Sequence, residues 1–222
     1  MNFDFPHIFY YSCLLISAAT GLFYIRKVES GFKWLAILIV VTFTSELIAR
    51  YVSYGPSKTN NIVYHFFVPV EYTLYVIIFL QFLEHKKWQR QLWLSAIGLI
   101  LFEIINTIYF QPLTETNTNV MMTESALLVF MALLLFLKIR ETPSLNNLLR
   151  EGVFWFNSAV LCYYAFNTLI WGFHNMRVYL LDNPPQFIYD FNLVMSGILY
   201  LTFSMAILLN SMACQPILKK HD

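Results

Sequence analysis

The chain has 222 residues, 58% of them hydrophobic and only 12% charged, with a formal net charge of +1. A soluble domain carries roughly 25% charged residues, so this composition cannot coat a water-facing surface, and its near-neutral balance excludes an electrostatic nucleic-acid binder. Seven spans of about 20 residues each would use most of the length, which predicts an all-α, polytopic membrane protein with one seven-helix domain over residues 1–222.

The first apolar segment, 8–25, follows a start (Met1 to His7) that lacks the basic stretch of a cleaved signal, so this helix is expected to be retained. The second, 34–53, carries Glu46 and Arg50 four residues apart, which stacks them on one face where they can pair, with Thr42 and Ser53 extending the stripe. The third, 62–83, holds His65 and Glu71, with Tyr64, Glu71 and Tyr75 sharing a face. Pro69 in its middle removes the amide that would bond the carbonyl of His65 and is expected to kink the helix. The fourth, 92–110, brings Glu103 and Asn106, and the fifth, 120–138, brings Glu124, close enough to the span end to snorkel into the headgroup layer as an alternative. In the sixth, 153–173, Asn157, Tyr164, Thr168 and Trp171 follow a helical stripe, and Asn167 lies beside it. The seventh, 187–212, opens with Asp190 and Asn192, and Asn192, Ser196, Tyr200 and Ser204 recur every four residues. Such stripes face a bundle interior, where hydrogen bonding between helices is their simplest use.

Charge fixes an expected orientation. Alternate breaks collect Arg26, Lys27 and Lys33, then Lys86, Lys87 and Arg90, then Lys138, Arg140 and Arg150, then Lys219 and Lys220, which is 11 of the 14 basic residues. The opposite side holds Arg50, Lys58 and Arg177. By the positive-inside rule the N-terminus lies outside and the C-terminus in the cytoplasm, as expected for a multi-pass protein of a bacterial inner membrane. Trp34, Trp88, Trp93, Trp155 and Trp171 fall near span ends, where amphipathic rings settle at headgroup depth. The longest inner break, Glu141 to Gly152, has room for a short interfacial helix from Pro143.

An ionisable side chain in hydrocarbon costs roughly 2.5 to 3.5 kcal/mol on insertion scales and is by default a functional hypothesis. With the orientation above, Glu46, Arg50, Tyr64, His65, Glu71, Glu103, Asn106, Glu124, Asn167, Asp190 and Asn192 all lie at mid-depth or in the outer half. The seven helices are therefore expected to enclose a polar, acid-rich chamber that opens outward. Glu71 and Glu103 lie nearest the midplane with no basic residue in their own helices, so they are expected either to be protonated or to pair with Arg50 or His65.

Several chemistries lose support. No lysine falls inside a span short of Lys138 at the last position of the fifth, and the seventh has none, which excludes a retinal Schiff base of the microbial rhodopsin type. HExxH, GxSxG and Walker A motifs are absent, and no cofactor or metal is expected. The three cysteines, Cys13, Cys162 and Cys214, sit in apolar runs and are expected to act as small buried hydrophobes. An odd helix count without matching broken helices argues against alternating-access transport.

Thr44-Ser45-Glu46, Asn60-Asn61 followed by Tyr64-His65, and Val70-Glu71 give the chain a whole-length resemblance to the seven-helix N-terminal sensor regions of bacterial membrane histidine kinases. The resemblance implies a sensory seven-helix bundle. No kinase core follows the seventh helix in this sequence, so signalling is expected to pass through a cytoplasmic partner. Its docking surface would be the basic inner loops Arg26–Lys33, Glu84–Gln91 and Lys138–Glu151. The expected function is non-enzymatic sensing of a small ligand, proton or cation. The rivals are an oligomeric pore or effector in bacterial defence and an intramembrane metal-dependent hydrolase.

Overall fold

The computed structural model describes residues 5–55, 59–83, 86–141, 148–178 and 186–218. The described residues form seven long α-helices: α1 (Phe5–Tyr24), α2 (Ser30–Ser53), α3 (Asn61–Leu83), α4 (Lys86–Tyr109), α5 (Thr118–Glu141), α6 (Gly152–Val178) and α7 (Gln186–Leu218). All seven are long and apolar enough to cross a membrane. The chain is a multi-pass membrane protein in contact with the lipid bilayer. In hydrocarbon every backbone polar group needs an internal partner, and an α-helix provides all of them within one segment.

The helices extend beyond several of the expected apolar spans, with α4 beginning at Lys86, α6 running to Val178 and α7 to Leu218. Backbone hydrogen bonds do not require apolar side chains, so a helix continues past the hydrocarbon edge. α3 runs through Pro69 as one helix. The expected interfacial helix from Pro143 falls on residues outside the described set, and Leu148–Arg150 make a single 3-10 turn before α6.

Consecutive helices pack side by side, and α1 packs along α7 to close the bundle. Short links make each helix antiparallel to the one before it, so seven helices leave α1 and α7 parallel. Their register is fixed by small residues and hydroxyls. Ser17 donates to the carbonyl of Tyr200 at 2.6 Å and lies 2.7 Å from Ser204 Oγ. At Gly197 an added Cβ would lie 2.6 Å from the Phe9 ring. Between α5 and α6, Asn157 Nδ2 donates to the Ala132 carbonyl at 2.9 Å. Lipid tails are as apolar as leucine, so close packing and such interhelical hydrogen bonds, more than hydrophobic burial, hold helices together. α4 packs against α3 and α5 and turns Leu94, Ile97, Leu101, Ile104, Ile105 and Ile108 outward as an apolar face.

The two halves of the interior differ. Toward the end where α1 finishes, Phe32, Phe79, Phe82, Phe156 and Phe203 interlock, with ring centroids 5.1 to 5.6 Å apart. Phe32, Phe79, Phe156 and Phe203 are wholly buried there. Toward the end where α1 begins, the same helices carry carboxyls, amides and phenols around an open cavity. Cys13 is buried as expected, but Cys162 is exposed on the outer surface of α6, because its helical phase sets it away from the Tyr164–Asn167 side. A thiol tolerates lipid as well as it tolerates a core.

A candidate ligand-binding chamber

The cavity has a volume of about 400 Å³. Glu46, Tyr64, Glu71, Glu124, Asn167 and Asn192 line it, six of the residues singled out from the sequence. It reaches from Thr42, Glu71, Tyr164 and Tyr200 at mid-depth to His7, Asn60, Thr116 and Tyr189 at the end where α1 begins. That depth matches the transition in the core: below Tyr200 and Tyr164 the aromatic cluster packs the interior, and a separate cavity of about 470 Å³ lies beyond it between Glu29, Phe82, Lys138 and Phe154.

Each carboxyl group is held differently. Glu46 receives Tyr64 OH at 3.2 Å on Oε1 and Tyr11 OH at 3.5 Å on Oε2. Arg50 places its guanidinium 5.4 Å from the centroid of the Tyr11 ring, so the i, i+4 pair expected on α2 meets through a tyrosine of α1. Glu71 receives Tyr164 OH at 3.2 Å, which ties α3 to α6 across the floor of the cavity. The Tyr164 ring is itself wedged edge-on against Tyr75 and Tyr163, at 5.5 and 4.9 Å. Glu124 does not snorkel. It is 3% exposed, lines the cavity, and its Oε1 has no hydrogen-bond partner. Its position early in α5 sets it one turn inside the bundle, on the face packed against α3 and α6.

Two amide oxygens share that condition. Asn167 Oδ1 on α6 and Asn192 Oδ1 on α7 both border the cavity without a partner. Ser196, by contrast, bonds Tyr163 OH at 3.0 Å and the Asn192 carbonyl at 2.8 Å. Buried polar atoms normally find partners, so three partnerless oxygens, one each from α5, α6 and α7, make the cavity polar and open to a ligand. Trp171, on the α6 stripe expected to face the interior, is only 9% exposed and lines the cavity. The α6 stripe thus divides by depth, with Asn157 bonding α5 and Tyr164 and Trp171 lining the chamber.

His65, Glu103 and Asn106 do not line the chamber; they build a separate clasp beside it. His65 Nδ1 lies 2.6 Å from Glu103 Oε1, and its Nε2 lies 3.0 Å from the Glu115 carbonyl. A carbonyl only accepts, so Nε2 carries a proton, and the Nδ1–Oε1 contact then shares one further proton between imidazole and carboxyl. Thr107 Oγ1 donates to Glu103 Oε1 at 2.9 Å, and Asn117 Nδ2 donates to Oε2 at 3.1 Å. Glu103 therefore pairs with His65, one of the two partners expected for it. Asn106 donates to Gln111 Oε1 at 3.1 Å and accepts from Asn119 Nδ2 at 3.0 Å, which closes the α4–α5 corner. The link is also pinned at Asn61, whose Nδ2 donates to the Thr114 carbonyl at 2.8 Å. The clasp thus fixes the segment that carries Thr116 to the chamber rim. Asp190 lies in the first turns of α7 and is not among the lining residues.

The sequence reading missed Tyr10, Tyr11 and Tyr163 at the chamber, and Thr107, Gln111 and Asn117 at the clasp. Tyr10 and Ser17 are seven residues apart on α1, a same-face spacing that marks its inner side. Gln111 and Asn117 lie in a link, where hydrophobic periodicity carries no signal.

Among the described residues, no three His, Cys, Asp or Glu side chains gather in a way that could hold a metal ion. No protein-family model matches this chain, no curated protein matches it and no solved structure matches it.

Proposed function

We propose that this protein is a non-enzymatic sensory or signal-transducing membrane protein of a bacterial inner membrane, with its N-terminus outside and its C-terminus in the cytoplasm. A small ligand, proton or cation arriving from outside occupies the acidic chamber. The resulting shift in helix packing is read by a cytoplasmic protein at the basic loops Arg26–Lys33, Glu84–Gln91 and Lys138–Glu151. One observation carries this reading: the cavity is lined by carboxyls and partnerless acceptors at one end, and an aromatic cluster backs it at the other. A one-ended polar cavity suits binding better than passage, because a carrier needs a polar route from both sides. Orientation is supported by the 11-to-3 division of basic residues.

The test measures amide hydrogen exchange in nanodiscs, with and without extracytoplasmic small-molecule pools. The expected outcome is altered protection at the cytoplasmic ends of α1, α2 and α6 on ligand addition, abolished by Glu71→Gln. A protein that stabilises on no addition, or that responds equally well as Glu71→Gln, contradicts the proposal.

A further inference from the structure

Resting on the chamber's role as a ligand site, we infer that its ligand is an organic ammonium ion, specifically a primary amine on a small apolar or aromatic body. Four independent features converge on that chemistry.

Charge comes first. Glu46, Glu71 and Glu124 face the cavity, and no lysine or arginine is among its described lining residues. Hydrogen-bond polarity comes next. Glu124 is 3% exposed and Asn167 8% exposed, and both present an oxygen without a partner at the cavity wall. Asn192 adds a third such oxygen. The two amide oxygens only accept, and an ionised Glu124 accepts as well, so a ligand that satisfies all three supplies donors. A primary ammonium carries three N–H donors on one charged atom, whereas a quaternary ammonium carries none.

The third feature is aromatic. Tyr64, Tyr163, Tyr164 and Trp171 line the same cavity, and the faces of such rings attract a desolvated cation while accommodating an apolar body. The fourth is what the oxygens fail to do. A calcium or magnesium ion needs about six oxygen ligands converging on one point, and the described carboxyls do not gather into a metal-binding group. They are spread around the walls, an arrangement that suits a ligand with length. The cavity, about 400 Å³, lies at the small end of ligand sites, which run from roughly 300 to 1,000 Å³. It fits a single ring or a short alkyl chain.

The decisive experiment follows thermal unfolding of the purified protein in nanodiscs against a matched panel. The panel comprises methylamine, butylamine and phenethylamine; the trimethylammonium and alcohol counterparts of phenethylamine; phenylacetate; and calcium. The expected result is saturable stabilisation by at least one primary amine. Its trimethyl and alcohol counterparts bind at least about tenfold more weakly, because they lack the charged donors. Glu124→Gln weakens amine binding by a similar factor, with the unliganded transition unchanged or higher. Equal stabilisation by the alcohol, the carboxylate or calcium overturns the ammonium assignment while leaving the chamber a ligand site. No stabilisation by any member of the panel overturns both. Retention of full amine affinity by Glu124→Gln overturns the role given to its free oxygen.

Discussion

At the residue scale, two groups of buried polar side chains lie close together and behave oppositely. The clasp is complete: both oxygens of Glu103 and both nitrogens of His65 are engaged. Removing one member of a buried pair strands the other, at a cost of about 3 to 5 kcal/mol. Glu103→Ala and His65→Ala should each lower the unfolding temperature markedly, and the double variant should cost clearly less than the sum of the two. Additive losses in that cycle would mean the 2.6 Å contact carries no coupling. The chamber is incomplete, and a buried carboxyl oxygen without a partner adds nothing to stability. Glu124→Gln should therefore leave unfolding of the empty protein unchanged or raise it, the usual sign of a residue kept for function. These individual residues were legible in the sequence because an ionisable group in an apolar span stands out on cost alone. Their division into clasp and chamber was not, since Glu71 and Glu103 look alike as isolated acids. What separates them is which neighbouring helix supplies a tyrosine or a histidine, a fact of tertiary packing.

At the scale of elements, packing depends on a few small residues where backbones approach. Gly152 opens α6 against α7, and a Cβ there would collide with the Ala206 carbonyl oxygen, a backbone atom that cannot rotate away. Gly152→Val should cost about 1 to 3 kcal/mol through overpacking, read as a lower unfolding temperature and reduced yield of folded protein. Gly98 meets nothing within 4 Å, and Gly98→Ala should be neutral or slightly stabilising. The hydroxyl ladder between α1 and α7 is worth less. Ser17→Ala should cost about 0.6 kcal/mol, the typical value of one interhelical bond in a bilayer. The seven helices themselves were readable from apolar length and from proline- and charge-bearing breaks. Their ends were not, because Lys86 to Gln91 continue a helix through polar sequence and Ala213 to Leu218 continue one through Gln215-Pro216, which reads as a break. The interhelical role of Asn157 and Ser204 and the inward turn of Trp171 followed from spacing, although a tryptophan near a span end also reads as an interfacial anchor.

For the whole molecule, the central feature is asymmetry along the bundle axis. One half is packed around an aromatic cluster, with a separate cavity of about 470 Å³ bordered by Glu29, Phe82, Lys138, Glu151 and Phe154 beyond it, and the other half holds the chamber; the described basic residues Arg26, Lys27, Lys33, Lys138 and Arg150 lie at the aromatic end. Composition announced the membrane, and charge alternation gave each helix an expected direction. Only then did five scattered acids become a single layer, three of whose members meet around one cavity. The position of that cavity in the membrane is the claim on which binding, sensing and orientation all depend. It is tested most directly by cysteine accessibility in intact cells. Cys13, Cys162 and Cys214 are replaced by serine or alanine, and Asn167→Cys is introduced at the chamber wall. Membrane-impermeant thiosulfonates of opposite charge are then added from outside. The account predicts modification from the outside, faster by the cationic reagent than by the anionic one, with Glu124→Gln reducing the difference. Modification only from the cytoplasmic side, or a faster anionic reagent, would contradict it.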